Sequence, residues 1–314
     1  MPSGRGGGRP VSAPDGVLPL LKPPGPSSHQ VVSAVRRLVG SGVRIGHAGT
    51  LDPGAAGVLP LCVGGATRLA EYLHIPLKAY RFELVLGQET DTQDATGRVV
   101  GGADAGGLRR SRIEEALRTF AGPVRQRVPL YSARRHDGIR LYEYARRGVD
   151  APRPDALVHI ESLALLDWHP GNPARALCDV RCSSGTYVRS LCADIGSALG
   201  VGAHMGHLVR HAAGGLDAGA CITLEELEAA AQDALWTAHC IAPADALGFL
   251  PALTVDPAEA RALGNGRPPG RRRAGPGEES GLIRVLDSGG RLLAVAQRTV
   301  GGTDAEFQIE KVVV

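Results

Sequence analysis

Aromatic side chains are scarce here: Phe, Trp and Tyr together make up 4% of the sequence, with six Tyr and two Trp. A tyrosine beside a polar motif is therefore a candidate for more than routine core filling. No apolar run is long enough to cross a bilayer as a helix. The opening MPSGRGGGRPVSAPDG has no apolar stretch of the kind a secretory signal needs, so the expected location is the cytoplasm. Cys62, Cys178, Cys182, Cys192, Cys221 and Cys240 include no CxxC pair, which argues against a zinc ribbon or a dense disulfide framework. Cys178 and Cys182 stand four apart in an apparent strand, share a face, and read as core. Basic residues outnumber acidic ones only slightly, 35 to 32. A formal charge of +3 permits an anionic partner without demanding one.

What is present suits a folded chain with a core: 43% hydrophobic and 21% charged residues over 314 positions, enough for two domains. The 43 Gly and 22 Pro imply long loops or a disordered tail. Residues 1–16 are rich in Gly, Pro and Ser and are expected to be disordered. Order begins with the strand-like GVLPLLK. Ser28 then reads as the cap of a helix carrying Val31, Val35, Leu38 and Val39, stopped by Gly40.

RIGHAGTLDPGAAGVLP is broken by Gly and Pro, and its centre should be irregular; Thr67 to Leu73 reads as a short helix. Phe82, Leu84 and Leu86 alternate with Arg81, Glu83 and Val85 as a half-buried strand does. A helix is expected over 112–120, begun by Ser111. Residues 123–150, crowded with Arg and Tyr, suggest an extended surface segment. Ala176 to Cys182 reads as a strand. After the turn SSGT, a helix carries Val188, Leu191, Cys192, Ile195 and Leu199, and Thr223 with Glu226 makes a capping-box pattern.

Near residue 250 the texture changes. A helix-like DPAEARALGNG, a low-complexity RPPGRRRAGPGEES and two strands around a Gly-Gly turn read as a small, mostly β appendage. Strands interleaved with helices but without a regular βαβ rhythm predict an α+β fold, with a mixed, largely antiparallel sheet and flanking helices. The expected division is a tail at 1–16, a main domain at 17–247 and a small β domain at 248–314.

Asp52 is the most informative residue. Gly49, Pro53, Gly54 and Gly57 flank it, and small neighbours let a ligand approach closely. An Asx-turn or a helix cap would place an aspartate before proline equally well. The surrounding motif decides between them. GHAGTLDPGAAGVLP resembles the catalytic motif of the TruB family of tRNA pseudouridine synthases, roughly G-H-x-G-x-L-D-P-x-A-x-G-x-L. Further matches follow in the family's order: KPPGPSS, KAYRFELVLGQETDTQDATG, QRVPLYSARRHDGIRLYEYAR, CSSGTYVRSLCADIG and AHMGHLVR, spanning about residues 18–216. The tail from about 250 resembles the PUA-type RNA-binding domain of bacterial members.

The resemblance implies the isomerisation of uridine 55 in the T-loop of tRNA, by a stand-alone monomer without cofactor, metal or obligate protein partner. It places Asp52 as the nucleophile, Tyr80 as the stacking tyrosine and Arg189 as the partner of the catalytic carboxylate, with Tyr187 two residues before it. Leu208 is implied to line the pocket, and His47 to hold the flipped-out conformation of the RNA. The chemistry breaks the N1–C1′ bond, turns the detached uracil and rejoins it through C5. Extruding the base costs roughly a few kcal/mol, and stacking on an aromatic face returns about 1–3 kcal/mol. Burial beneath RNA disfavours a charged carboxylate, which a bidentate Arg189 would counter.

The sequence departs from the family pattern at Val128-Pro129 in place of Pro-Pro, at Arg135 in place of Lys, and at Val209-Arg210 in place of a double Arg. His204, His207 and His211 have a spacing that would gather imidazoles on one helical face, but no carboxylate or thiolate stands at suitable local spacing for zinc. The run Arg271 to Arg273 reads as a solvated loop. Arg134, Arg135, Arg140, Arg146 and Arg147, interleaved with Tyr131, Tyr142 and Tyr144, read as an RNA-facing surface, with core packing an alternative for Tyr131. Two rivals remain: a catalytic subunit directed by a guide RNA, and a tRNA-folding helper with incidental activity. A metallohydrolase built on the histidines is a remote third.

Overall fold

The computed structural model describes residues 14–132, 134–149, 151–233 and 235–313. Most of the expected tail at 1–16 therefore lies outside the described residues. One nine-stranded sheet carries the fold. Its main path runs Gly16–Lys22, Ala56–Val63, Ala203–Ala213, Lys78–Leu86, Ala174–Cys182, Asp155–His169 and Gly122–Arg127. All neighbours on this path are antiparallel except Ala203–Ala213 against Ala56–Val63, where Val209 faces Ala56 and Arg210 faces Gly57. The sheet is thus mixed and largely antiparallel, as the interleaved pattern implies.

Two apolar clusters hold helices to this sheet. Val31, Val32 and Val35 of the helix Ser28–Val39 pack with Leu18, Leu20, Leu59 and Leu61. Ile113 and Leu117 of Arg110–Arg118, with Leu191, Cys192 and Ile195 of Val188–Leu199, pack against Phe82, Leu84 and Cys178. Each such side chain contributes about 1.5–3 kcal/mol when fully buried. Cys178 and Cys182 are both fully buried, on the shared core face. Along Lys78–Leu86 the alternation holds at Arg81, which is exposed, and at Glu83, which is partly so, and breaks at Val85, which is buried.

Several local expectations need correction. The cap of the first helix is Ser27, whose side chain and that of Gln30 form a reciprocal capping box. Ser28 is buried and bonds elsewhere. The segment from Thr67 to Leu73 is two 3₁₀ turns, Gly64–Leu69 and Tyr72–His74. The second helix starts at Arg110 after Arg109, so Ser111 lies inside its first turn. Residues 123–150 are not one extended segment. Gly122–Arg127 joins the main sheet, a small hairpin pairs Arg135–His136 with Ile139–Arg140, and Leu141–Arg146 is helical. His204, His207 and His211 lie on a strand, so no helical face gathers them.

Residues 252–312 form a five-stranded sheet in the order Ala252–Thr254, Gly281–Leu286, Leu292–Gly301, Asp304–Val312, Arg272–Arg273. The strand Asp304–Val312, which follows a second Gly-Gly turn at Gly301 and Gly302, adds to the two strands expected around Gly289 and Gly290. The arginine run is held in place: Arg271 pairs with Asp304 at 2.9 Å and Glu306 at 3.3 Å, and Arg272 with Glu259 at 2.5 Å. Leu292 and Val295 share a cluster with Val17, Leu69 and Leu247 of the larger unit. Lys311 adds an ion pair to Glu71 and lies 5.7 Å from the centre of the Tyr72 ring. No helix is long and apolar enough to cross a membrane among the described residues.

Candidate active site

Asp52 sits in the loop between the strands Ile45–His47 and Ala56–Val63. Gly49 at φ +106° and the ring of Pro53 keep this stretch out of helix and sheet, so its backbone polar groups need partners from elsewhere. Ser28 Oγ accepts from Leu51 N–H at 2.9 Å and donates to Leu51 C=O at 3.0 Å. Lys22, 1% exposed, donates from Nζ to the carbonyls of Pro53 at 3.0 Å and Ala55 at 2.6 Å. Ala55 N–H closes the turn on Asp52 C=O at 3.0 Å. Burial pushes the Lys22 ammonium down to a pKa of about 8, against the pull of Asp52. The loop is held on both sides, and its aspartate is presented at a fixed place with its side chain 39% exposed.

Arg189 reaches that aspartate from the first turn of the helix Val188–Leu199, with Nε 2.9 Å from Asp52 Oδ2. The expected bidentate pairing does not form. Nη1 donates to Thr92 C=O at 3.4 Å and Nη2 to Tyr131 C=O at 3.0 Å, so the guanidinium is shared among three segments. A second carboxylate, Asp94 Oδ2, lies 3.9 Å from Nε. Asp94 Oδ1 in turn accepts from the hydroxyl of Thr92 at 2.7 Å. The turn before the helix is set by Gln126, which is fully buried: its Oε1 accepts from Tyr187 N–H at 3.0 Å and its Nε2 donates to Tyr187 C=O at 3.3 Å.

Two hollows meet at this ion pair, sharing Asp52, Arg189, Met205 and Leu208. Tyr80 and Tyr187 line one; Thr92, Asp94 and Tyr131 line the other. Tyr80, 7% exposed, stands on the strand Lys78–Leu86 opposite Val180 and Arg210. Burial raises the pKa of its hydroxyl, and the Arg210 charge pulls the other way. Leu208 is 8% exposed and supplies an apolar wall. Five of the six residues singled out from the sequence thus converge: Asp52, Tyr80, Tyr187, Arg189 and Leu208.

His47 does not line either hollow. It ends its strand half-buried, with Nδ1 buried and unpartnered among the described residues. Burial lowers its pKa, and the charges of Arg210, His74 and His29 lower it further. Tyr131 is 36% exposed at the cleft, so it is not a core side chain. Arg134, Arg135, Arg140 and Arg147 are exposed; the side chain of Arg146 lies outside the described residues. Among the described residues no three His, Cys, Asp or Glu side chains are grouped to hold a metal ion. His204 turns its Nδ1 to Gln88 C=O at 3.0 Å.

Lys22, Asp94, Gln126 and Arg210 have no role assigned to them from the sequence, although each lies inside a matched motif: KPPGPSS, KAYRFELVLGQETDTQDATG, QRVPLYSARRHDGIRLYEYAR and AHMGHLVR. The motifs mark their positions, and only the fold shows what each side chain holds.

Family comparison agrees with this geometry. The model of the TruB family pseudouridylate synthase N-terminal domain matches residues 36–188, and that of the tRNA pseudouridylate synthase B C-terminal domain matches residues 189–247. The tRNA pseudouridine synthase B of Symbiobacterium thermophilum is 51% identical over 245 residues, covering 78% of this chain and 80% of that one. The protein of the same name in Bacillus subtilis is 41% identical over 255 residues, covering 80% and 82%. Among solved structures, a chain of a Cbf5-Nop10-Gar1 complex superposes with a TM-score of 0.73 over 95% of this chain and 85% of that one. At 24% identity that likeness establishes the fold. By these matches the chain belongs to the TruB family of pseudouridylate synthases.

Proposed function

We propose that this chain converts the uridine at position 55 of the tRNA T-loop to pseudouridine, acting alone as a monomer and without a guide RNA, with Asp52 as the reacting carboxylate. The observation that carries the reading is the Asp52–Arg189 pair at 2.9 Å, set in a cleft walled by Tyr80 and Leu208. The reaction breaks N1–C1′ and forms C5–C1′; the proton on C5 is lost and N1 gains one. No electrons are exchanged with a second substrate, so the residues need only position, stack and move protons.

Each residue then has a physical task. Tyr80 and Leu208 offer flat and apolar surfaces to an extruded base, whose stacking offsets part of the cost of leaving the T-loop. Arg189 fixes the direction of the Asp52 carboxylate. The two hollows on either side of Asp52 provide room for a detached ring to turn. His47 lies outside both, and in this reading its task is to hold the RNA around the flipped base. The exposed arginines near residues 134–147 and the PUA-like C-terminal sheet supply phosphate contacts that weaken with salt.

The name shared by relatives at 41% and 51% identity favours tRNA as substrate over a guide-directed role. The purified chain alone, given unmodified tRNA, is expected to produce a single carbodiimide-dependent reverse-transcription stop for pseudouridine, at position 55. Modification that needs added guide RNA or protein subunits would instead favour the guide-directed rival, and tRNA refolding without modification would favour the folding helper.

A further inference from the structure

Arg210 stands in the strand Ala203–Ala213 near the middle of the sheet and is 1% exposed. Burying a guanidinium is costly unless its donors are satisfied. Here they go to backbone: Nε donates to Val58 C=O at 2.8 Å, Nη1 to Thr50 C=O at 3.2 Å and Nη2 to Gly49 C=O at 3.1 Å. Two of these carbonyls belong to the loop that presents Asp52, and the third to the strand that leaves it. Arg210 forms no ion pair among the described residues.

Its register explains what the fork connects. Arg210 is the cross-strand partner of Tyr80 on one side and of Gly57 on the other. Register partners put their side chains on the same face of the sheet, so the stem of Arg210 runs beside the Tyr80 phenol before its fork reaches the loop. Gly57, at φ +112°, allows this crossing: a Cβ there would lie 2.1 Å from Arg210 C=O. The guanidinium charge is felt by Lys22, His47, His74 and Lys78 as well as by Tyr80.

The geometry points to Arg210 as a positioning residue for the reaction. Its fork ties the backbone at Gly49 and Thr50 to the strand Ala203–Ala213, which pairs with the strand that carries Tyr80, and so fixes the separation between the Asp52 carboxylate and the tyrosine ring, between which the target base must sit. Arginine suits the task because its planar fork presents donors from three separate nitrogens to three carbonyls, whereas a lysine ammonium must donate from one nitrogen. This role rests on the functional reading above and touches no reacting atom directly.

The test compares wild type, Arg210→Lys and Arg210→Gln by single-turnover tritium release from tRNA labelled at uridine C5, by tRNA affinity and by thermal unfolding. The rate is expected to fall about 100-fold in the variants, the order of loss that a misplacement of about 1 Å brings. The tRNA Kd should stay within about twofold, since Arg210 is buried and its loss misaligns the reacting groups without removing a contact to the RNA. If Arg210→Gln does not fold, Arg210→Lys, which keeps charge and length, carries the comparison. A folded variant with a rate within about threefold of wild type overturns the role. So does a parallel loss of rate and affinity, or a failure of both variants to fold, because either makes Arg210 a general support of the fold. A wild type that releases no tritium refutes the functional reading instead, and shows this before any variant is measured.

Discussion

Arg189 brings Nε to 2.9 Å from Asp52 Oδ2, while its two outer nitrogens donate to the carbonyls of Thr92 and Tyr131. The guanidinium is 5% exposed and the carboxylate 39%. The cation is therefore fixed by the protein, and the anion, half open to the cleft, is aimed by it. Three distant stretches of chain meet in one planar group.

That geometry makes Arg189→Lys a severe change although the charge is kept. A lysine can hold Asp52 or the two carbonyls, but not all three. The rate of isomerisation is expected to fall about 100-fold through misalignment, measured as single-turnover tritium release. Near-normal turnover in Arg189→Lys would mean that charge alone is sufficient.

Gly57 bears on the same region through the backbone. Its φ of +112° disfavours a side chain, and a Cβ would meet Arg210 C=O at 2.1 Å. Gly57→Ala should lower stability by more than about 1 kcal/mol, read as a lower urea midpoint with an unchanged slope. An unaltered midpoint would show that the two parallel strands can separate without loss.

Gln126→Leu removes the amide that satisfies both backbone groups of Tyr187. An unpaired buried N–H costs about 1–3 kcal/mol. Faster hydrogen exchange at the start of the helix Val188–Leu199, together with a lower urea midpoint, is the expected result. Native-like protection there would argue that water or a shifted side chain replaces the amide.

Histidine titration gives a pH dependence of defined sign. Burial, with neighbouring positive charge, holds the pKa of His47 and His74 below the ordinary 6.5. Below that pH the unfolded chain binds more protons than the folded one, so their contribution is present above 6.5 and is lost as pH falls through the folded values. Urea midpoints measured from about pH 7 down to about pH 5 should decline in the wild type and decline less in the double variant His47→Gln, His74→Gln. Equal slopes would remove these two histidines from the acid response.

The legible part of the molecule was the part with a local signature. Phe82, Leu84 and Leu86 announced their strand by alternation, Thr223 and Glu226 their helix by a capping box, and Asp52 its loop by a motif of small residues. Periodicity failed for His204, His207 and His211, because the three stand on a strand interrupted by two bulges, where helical spacing does not put them on one face. It failed again at 123–150, where short elements are stabilised by the main sheet and by packing rather than by their own pattern. The tasks of Asp94 and Gln126 were illegible for a related reason. Both lie in matched motifs, but their tasks arise from partners 95 and 61 residues away, which a motif does not name.

Asp52→Asn tests the central claim most directly, since the amide keeps the size of the carboxylate and removes its charge and nucleophilicity. Tritium release from tRNA labelled at uridine C5 is measured for wild type and variant, beside tRNA affinity, without guide RNA or added metal. The account predicts release by wild type and none by Asp52→Asn, at an affinity close to that of wild type. Release by Asp52→Asn at the wild-type rate would contradict it.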